Sequence, residues 1–129
     1  MRLLLDTHVI IWMISDDKRI SSKARETIHS ASSVYWSVAS LWEIGIKQCL
    51  NRKDFQLGPN WAEQVQNELF SNGFEKMNIE PAHCDGISHL PLYHGDPFDR
   101  MLVSQAIDQD LTLVTADSKI TRYSVKTLW

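Results

Sequence analysis

Four acidic residues lie in four segments that are far apart in the sequence, yet their types and positions suit a single chemical site. They are Asp6, Glu43, Asp99 and Asp117. Clustered carboxylates repel one another unless a cation lies between them. Hard oxygen ligands of this kind suit Mg²⁺ or Mn²⁺ rather than zinc. A divalent metal site built from these acids is therefore the first hypothesis.

Two of the acids follow predicted strands. Asp6 ends the apolar run 3–5 (LLL), which is typical of a strand buried on both faces. Asp117 comes just past the run 111–115 (LTLVT), a second predicted strand. In an open parallel sheet, chemistry gathers at the carboxyl ends of the strands. Both acids are expected at that edge.

The other two acids lie in predicted helices. Glu43 lies in a helix that follows the strand 34–36, and Asp99 lies in the first turn of the helix 97–108. If these helices begin near the same sheet edge, all four acids can converge there.

Periodicity and turn residues predict that strands alternate with helices along the whole chain. Strands are predicted at 3–5, 34–36, 74–79, 111–115 and 125–128. Helices are predicted at 9–14, 22–30, from 37 or 40 to about 50, at 61–70, 81–90 and 97–108, with a helical turn at 117–123 and loops at 51–60 and 91–95. This order predicts an α/β three-layer sandwich, a small parallel sheet flanked by helices on both faces, as one domain over residues 1–129.

Composition limits the class of protein. The 129 residues carry 13 Lys and Arg and 16 Asp and Glu, a net charge of −3, so a generally basic nucleic-acid coat is excluded. A hydrophobic fraction of 43% excludes a disordered chain. Cys49 and Cys84 are too few for a disulfide scaffold, and no apolar run reaches membrane-spanning length. Without a signal peptide, a cytoplasmic protein with no membrane partner is expected.

Each acid also has a simpler structural interpretation. Asp6 and Asp117 can cap the helices that follow them, and Glu43 stands four residues before Lys47, a favourable helical pair. In the run 96–99 (DPFD), the first acid suits an N-cap and the second the helix dipole. Spacing alone leaves both interpretations open.

The four acidic segments, taken in order, resemble the motifs of PIN-domain ribonucleases, and most closely those of the VapC toxins of bacterial toxin–antitoxin pairs. The segments are LLDTH (4–8), WEIGIK (42–47), DPFDRMLVSQA (96–106) and LVTAD (113–117). Any one of them is weak, but their order, their spacing and the total length all agree. The family's third motif lines up with Asp99, which leaves Asp96 as the N-cap.

The resemblance implies a set of expectations. Asp6, Glu43, Asp99 and Asp117 would hold one or two Mg²⁺ or Mn²⁺ ions, and the activity would be endonucleolytic cleavage of RNA. The chain would form a homodimer, and a small antitoxin protein would block the site. Asp6 and Asp99 are the expected direct ligands, followed by Asp117, with Glu43 acting through water or orienting the nucleophile.

Several nearby side chains are open to two interpretations. The hydroxyls of Thr7 and Thr115 can support the ligands, or these can be ordinary β-branched residues at strand ends. The five histidines lack the spacing of a zinc site, although His8 lies two residues from Asp6. Four basic residues near the acids are expected to be solvated, with contact to phosphate as the alternative. Four tryptophans are expected to pack in the core or at a dimer interface, with stacking on bases as the alternative. These residues are Lys47, Arg100, Lys119, Arg122, Trp12, Trp36, Trp42 and Trp61.

Two other functions compete with RNA cleavage. A phosphatase of the haloacid type needs Asp-x-Asp at the first strand, whereas His8 stands two residues after Asp6. A non-catalytic α/β binding module with an acidic rim, or another phosphoryl-transfer hydrolase, is the remaining alternative.

Overall fold

A computed structural model describes residues 1–50 and 57–129 of the chain. The strands are β1 (Arg2–Leu5), β2 (Ser33–Ser37), β3 (Glu75–Met77), β4 (Thr112–Val114) and β5 (Thr127–Leu128). The helices are α1 (Thr7–Ile14), α2 (Ser22–Ser30), α3 (Val38–Cys49), α4 (Trp61–Ser71), α5 (Pro81–Ser88) and α6 (Pro97–Gln109), with a 3₁₀ turn at Ile120–Arg122.

The strands of the described residues form one sheet in the order β3-β2-β1-β4-β5, and every pairing is parallel. β1 lies at the centre because its backbone pairs with β2 on one side and with β4 on the other. The order along the sheet reverses at β1, so the gap beyond the ends of β1 and β4 is the place where an open α/β sheet forms a site.

Helices cover both faces of the sheet, and two apolar clusters lie between the layers. Leu3 and Leu5 point into the cluster formed with α1, α2 and α4, while Leu4 points into the cluster formed with α6. All three leucines are fully buried. This alternation follows from the two-residue period of a strand and explains why the run 3–5 is apolar throughout. The predicted α/β sandwich is confirmed.

The predicted elements are present, and the differences lie at the edges of the sheet. The strand predicted at 74–79 is limited to Glu75–Met77, and the one predicted at 125–128 to Thr127–Leu128. Both are edge strands, each paired along one side only, so the backbone soon leaves the ladder. Residues 51–56 of the predicted loop 51–60 lie outside the described residues. In the part of the chain that is described, no helix has the length and apolar character needed to cross a membrane.

Short polar side chains begin the helices at the carboxyl edge of the sheet. Asp6 caps α1 by accepting from the N–H of His8, and Ser37 caps α3. Asp96 caps α6, where its Oδ1 accepts from the N–H groups of Phe98 and Asp99 at 2.9 Å each. Pro97 follows at the first helical position, where its missing N–H costs nothing. The N-cap predicted for Asp96 is confirmed.

The Asp96 cap predicts a measurable loss of stability. Asp96→Ala should lower the free energy of unfolding by about 1 kcal/mol relative to Asp96→Ser. Both variants remove the charge, but serine still accepts from the helix N–H groups, so their difference isolates the cap. Urea denaturation monitored by circular dichroism measures it. Equal stability of the two variants would contradict the capping role.

Candidate active site

Asp6 is fixed at the carboxyl end of β1 by its backbone and by its side chain. Its N–H donates to the carbonyl of Val114 at 3.0 Å, which extends the β1–β4 ladder by one residue. Its Oδ2 accepts from the hydroxyl of Thr115 at 2.5 Å, and its Oδ1 accepts from the N–H of His8 at 3.0 Å. The side chain is buried, and burial raises the pKa of the Asp6 carboxyl. Asp6 is therefore both a helix cap and a buried acid at the sheet edge.

Glu43 lies on the buried side of α3, and its two carboxylate oxygens differ in their partners. Oε2 forms an ion pair with Nζ of Lys47 at 3.2 Å, the pair predicted from the i,i+4 spacing. Oε1 is buried and has no hydrogen-bond partner among the described residues. Because a buried oxygen without a partner is costly, this atom is an acceptor for a group that the described residues do not supply.

Asp99 lies in the first turn of α6, and its Oδ2 is 3.2 Å from Nε2 of His94. The pKa of its carboxyl is raised to about 8, first by burial and then by the negative charges of four other acids. These acids, in decreasing order of effect, are Asp96, Asp6, Glu43 and Asp117. The four acids singled out in the sequence therefore act on one another electrostatically.

Asp117 lies just beyond β4 on a turn held by local hydrogen bonds. Its N–H donates to the Thr115 hydroxyl at 3.0 Å, and its Oδ1 accepts from the N–H of Lys119 at 2.9 Å. Asp6 and Asp117 both line an open cavity of about 260 Å³, together with His8, Trp12 and Ala116. Thr115 thus links the two acids, since its hydroxyl donates to one and accepts from the backbone of the other.

The arrangement is a cluster of acids, but it is not a closed cage. Among residues 1–50 and 57–129, no three His, Cys, Asp or Glu side chains already surround one point as metal ligands. Each carboxylate is instead held by its own neighbour: Asp6 by Thr115, Glu43 by Lys47 and Asp99 by His94. The donor set nevertheless fits a hard divalent cation. It consists of carboxylate oxygens, one of which lacks a partner among the described residues. Burial and then neighbouring negative charge raise the Asp99 pKa, and a cation would neutralise that charge.

The model of one protein family, the PIN domain, matches residues 3–126. The chain belongs to the PIN domain family. The resemblance drawn from the four acidic segments is therefore confirmed at the level of the family.

Individual relatives agree with this assignment. The ribonuclease VapC22 of Mycobacterium tuberculosis is 27% identical over 120 residues, covering 92% of this chain and 88% of the relative. The structure of DNA-bound VapBC from Salmonella typhimurium matches with a TM-score of 0.72 and 17% identity, over 99% of this chain and 97% of that one. The structure of VapBC2 from Rickettsia felis bound to a promoter DNA fragment matches with a TM-score of 0.70 and 18% identity, over 99% and 98%. At these identities the structures establish a common fold.

The two threonines of this PIN domain differ in role. Thr115 contacts Asp6, as the supporting role predicted for it requires. The hydroxyl of Thr7 instead donates to Ser40 at 2.8 Å in a buried contact between α1 and α3. The difference arises because Thr7 already belongs to α1, whose first turn directs its side chain toward the neighbouring helix rather than toward the acids. Thr7 fixes the spacing of the helices that carry Asp6 and Glu43.

The solvated charge predicted for Arg100 is wrong. Its guanidinium is buried and donates to the hydroxyl of Tyr123 at 3.0 Å and to the carbonyl of Pro91 at 2.8 Å. Lys47 is also largely withdrawn from solvent by its ion pair with Glu43. In contrast, Lys119 and Arg122 are exposed, as expected.

The tryptophans divide between core and surface. Trp36 is buried, and Trp12 and Trp61 pack partly buried against the same apolar cluster, as predicted. Trp42 is 58% exposed beside the acids, and its ring meets the edge of Phe98 at a centroid distance of 4.9 Å.

Sequence reasoning missed His94. This residue lies in the loop before α6 and is the direct partner of Asp99, although the histidines were set aside for lack of zinc spacing. The available signal was its position in the sequence, since His94 stands five residues before Asp99 and close to the start of the same helix.

The raised Asp99 pKa predicts how stability depends on pH when chelator keeps the chain free of metal. The carboxyl holds a proton in the folded chain up to about pH 8 but loses it near the ordinary value of 3.8 in the unfolded chain. The folded state therefore binds more protons between these values, and the free energy of unfolding falls as the pH rises through them. Asp99→Asn removes this loss, so it should stabilise the metal-free protein at pH 8 more than at pH 5.

Urea denaturation of both proteins in EDTA at the two pH values measures the effect. Asp110→Asn is the matched control, because Asp110 is 82% exposed at the other end of α6. A stability difference between wild type and Asp99→Asn that is the same at pH 5 and pH 8 would contradict the assigned environment of Asp99.

Proposed function

We propose that this PIN domain is a Mg²⁺- or Mn²⁺-dependent endoribonuclease and the toxin of a toxin–antitoxin pair. The observation that carries the proposal is the placement of Asp6 and Asp117 on one cavity at the carboxyl edge of the sheet, with the charges of Asp6, Glu43 and Asp117 acting on Asp99. Membership of the PIN family and the similarity to a relative named as a ribonuclease support it. RNA is the proposed substrate.

The acids would divide the work of holding the metal. Asp6 and Asp99 are the proposed direct ligands, because Asp6 is buried, Asp99 is largely withdrawn from solvent, and hydrogen bonds orient both carboxylates. Asp117 would complete the set from the rim of the cavity. Oε1 of Glu43, which has no partner among the described residues, would accept from a metal-bound or attacking water. When bound, the ion would lower the pKa of a water molecule and neutralise charge on the phosphate oxygens. The Thr115 hydroxyl would orient the Asp6 carboxylate, and it partly offsets the rise in the Asp6 pKa that burial causes.

The alternatives have less support from the site. His8, at the position where a haloacid-type phosphatase needs its second aspartate, is a half-exposed side chain beside Lys47. A non-catalytic module would not require four interacting acids, whose repulsion is a cost to folding. Metal titration combined with an RNA cleavage assay separates these functions from the proposed one.

Protein partners are proposed on two grounds. The similar structures from Rickettsia felis and Salmonella typhimurium are VapBC complexes bound to DNA, and the structural neighbours include a toxin–antitoxin complex from Klebsiella pneumoniae. By analogy, a small antitoxin would cover the acidic site of this chain. A homodimer remains part of the proposal through the family resemblance, and a cytoplasmic location is the expected setting.

The metal-ligand roles predict the behaviour of two variants. Asp6→Asn and Asp99→Asn should each abolish RNA cleavage with the fold intact, because each removes a charged ligand but little volume. Asp110→Asn, the exposed control, should cut RNA like the wild type. Cleavage of a labelled RNA, with circular dichroism of each variant, measures the outcome. Full activity of either site variant would refute its assignment.

Metal dependence is a separate prediction. Cleavage should require Mg²⁺ or Mn²⁺ and stop in EDTA, while Ca²⁺ should bind yet support little cleavage because its looser coordination positions water poorly. The assay compares the three ions after exhaustive chelation. Cleavage that persists in excess EDTA would indicate a ribonuclease that works without metal and would exclude the proposed site.

The charge of the site also predicts how an antitoxin would bind. A guanidinium pairs with carboxylates through two parallel hydrogen bonds, so an arginine of the antitoxin should enter the acidic cluster, with the exposed Trp42 as an apolar anchor beside it. Asp6→Asn combined with Asp99→Asn should weaken the complex, more so at low salt than at high salt. Affinity is measured for the wild type and the double variant at two salt concentrations. Equal binding at both would mean that the antitoxin acts by occlusion without pairing to the acids.

A further inference from the structure

A continuous series of polar contacts leads from the buried Arg100 back to the acid that precedes it in the sequence. Nη1 of Arg100 donates to the Tyr123 hydroxyl at 3.0 Å. That hydroxyl lies 2.8 Å from Nδ1 of His94, and Nε2 of His94 lies 3.2 Å from Oδ2 of Asp99. His94 and Asp99 are 12% and 16% exposed, so the contacts are shielded from water.

When Asp99 is ionised, as a metal ligand must be, the donors in this series favour one direction for each hydrogen bond. A guanidinium can only donate, so the Tyr123 oxygen accepts from Arg100. The single hydroxyl proton of Tyr123 is then directed to Nδ1 of His94. A neutral imidazole that accepts at Nδ1 carries its proton on Nε2, the atom that faces Asp99. Arg100 and Tyr123 thus select the His94 tautomer that donates to Asp99.

Arg100 also holds the loop on which His94 stands. Besides its bond to Tyr123, its guanidinium donates to the carbonyls of Pro91, Ile87 and Leu90, at 2.8, 3.3 and 3.5 Å. Its positive charge lies 5.9 Å from the centre of the Tyr123 ring. Both the position of the loop and the tautomer of the imidazole therefore depend on one buried side chain.

We propose that His94 is a positioning residue for Asp99, held in its donating tautomer by Tyr123 and Arg100, so that the Asp99 carboxylate presents its other oxygen to the metal. This inference rests on the proposed function. His94 occupies Oδ2 of Asp99, and within the described residues no side chain hydrogen-bonds to Oδ1, as a carboxylate that binds a metal through one oxygen requires. Hydrogen bonds to ligands commonly change metal affinity or activity by about 10–100-fold when they are removed.

The tautomer can be read directly by ¹⁵N NMR of the histidine rings at a pH above 8, where the Asp99 carboxyl is ionised and the imidazole is neutral. The His94 signal is assigned by its absence from the spectrum of His94→Gln, and it should show the proton on Nε2. Tyr123→Phe removes the donor to Nδ1 and should shift the signal toward a mixture of tautomers. The matched control is Tyr93→Phe, because Tyr93 packs against Tyr123 but its hydroxyl makes no hydrogen bond within the described residues.

Mn²⁺ affinity, measured by electron paramagnetic resonance, tests the effect on Asp99 without relying on activity. His94→Leu should weaken Mn²⁺ binding by about 10–100-fold. His94→Gln should restore most of the affinity, because its amide can accept from Tyr123 and donate to Asp99. His89→Leu is the control for histidine removal, since His89 is 74% exposed and pairs with Asp85. If His94 only packed the loop, His94→Leu and His94→Gln would have the same Mn²⁺ affinity.

A double-mutant cycle identifies the residue through which His94 acts. In the Asp99→Asn background, His94→Leu should cause no further loss of Mn²⁺ affinity, because the contact has already been altered. Thermal unfolding of every variant shows whether the fold is retained. If His94→Leu is unfolded, the comparison of His94→Gln with Tyr123→Phe and the tautomer measurement decide the question.

The possible results separate the two levels of the proposal. A wild-type protein that binds Mn²⁺ and cuts RNA, together with a folded His94→Leu that binds Mn²⁺ equally well, would overturn the role of His94 alone. A proton found on Nδ1 in the wild type would also overturn it. A wild-type protein that binds no Mn²⁺ and cuts no RNA would overturn the proposed function and the role of His94 with it.

Discussion

Repulsion between carboxylates at one edge of the sheet is the constraint on which the rest of the site depends. Asp6 is buried at the end of the central strand, and its charge and that of Glu43 are felt by Asp99. Burial and like charge both oppose ionisation, so each acid needs a neighbour that favours its charged form. Thr115 does this for Asp6, whereas Lys47 and His94 contact Glu43 and Asp99 directly.

The apolar framework makes this arrangement possible. Because β1 is fully buried between two clusters, its end cannot shift away from β4, and the Asp6 N–H remains tied to Val114. Thr7 and Ser40 hold α1 against α3, and the double cap of Asp96 fixes where α6 begins. The positions of the acids are therefore set by packing and capping. Because no single loop can move to separate them, their repulsion lowers the stability of the whole domain.

The sequence alone predicted the strands and the helix cap, because these features depend on local residue patterns. The runs 3–5 and 111–115 predicted the strands that end near Asp6 and Asp117, and the DPFD segment predicted the cap at Asp96. The roles that sequence did not predict belong to residues whose partners lie far along the chain. Thr7 contacts Ser40, and both Arg100 and His94 contact Tyr123. Neither charge nor spacing indicates such contacts, because they arise only when the sheet brings distant segments together. The assignment of the four acids as metal ligands remains a prediction.

The same repulsion links the stability of the domain to what occupies its site. Any cation that enters the cluster, whether a divalent metal or a guanidinium from a partner, reduces the like-charge interaction that raises the Asp99 pKa, so it binds the folded state more tightly than the unfolded one. Metal and cationic partner would then compete for the same carboxylates, since each neutralises the charge that attracts the other. An inhibitor acting in this way needs no change in the fold. Packing of the core already holds the acids together, and any cation that binds gains affinity by relieving their repulsion.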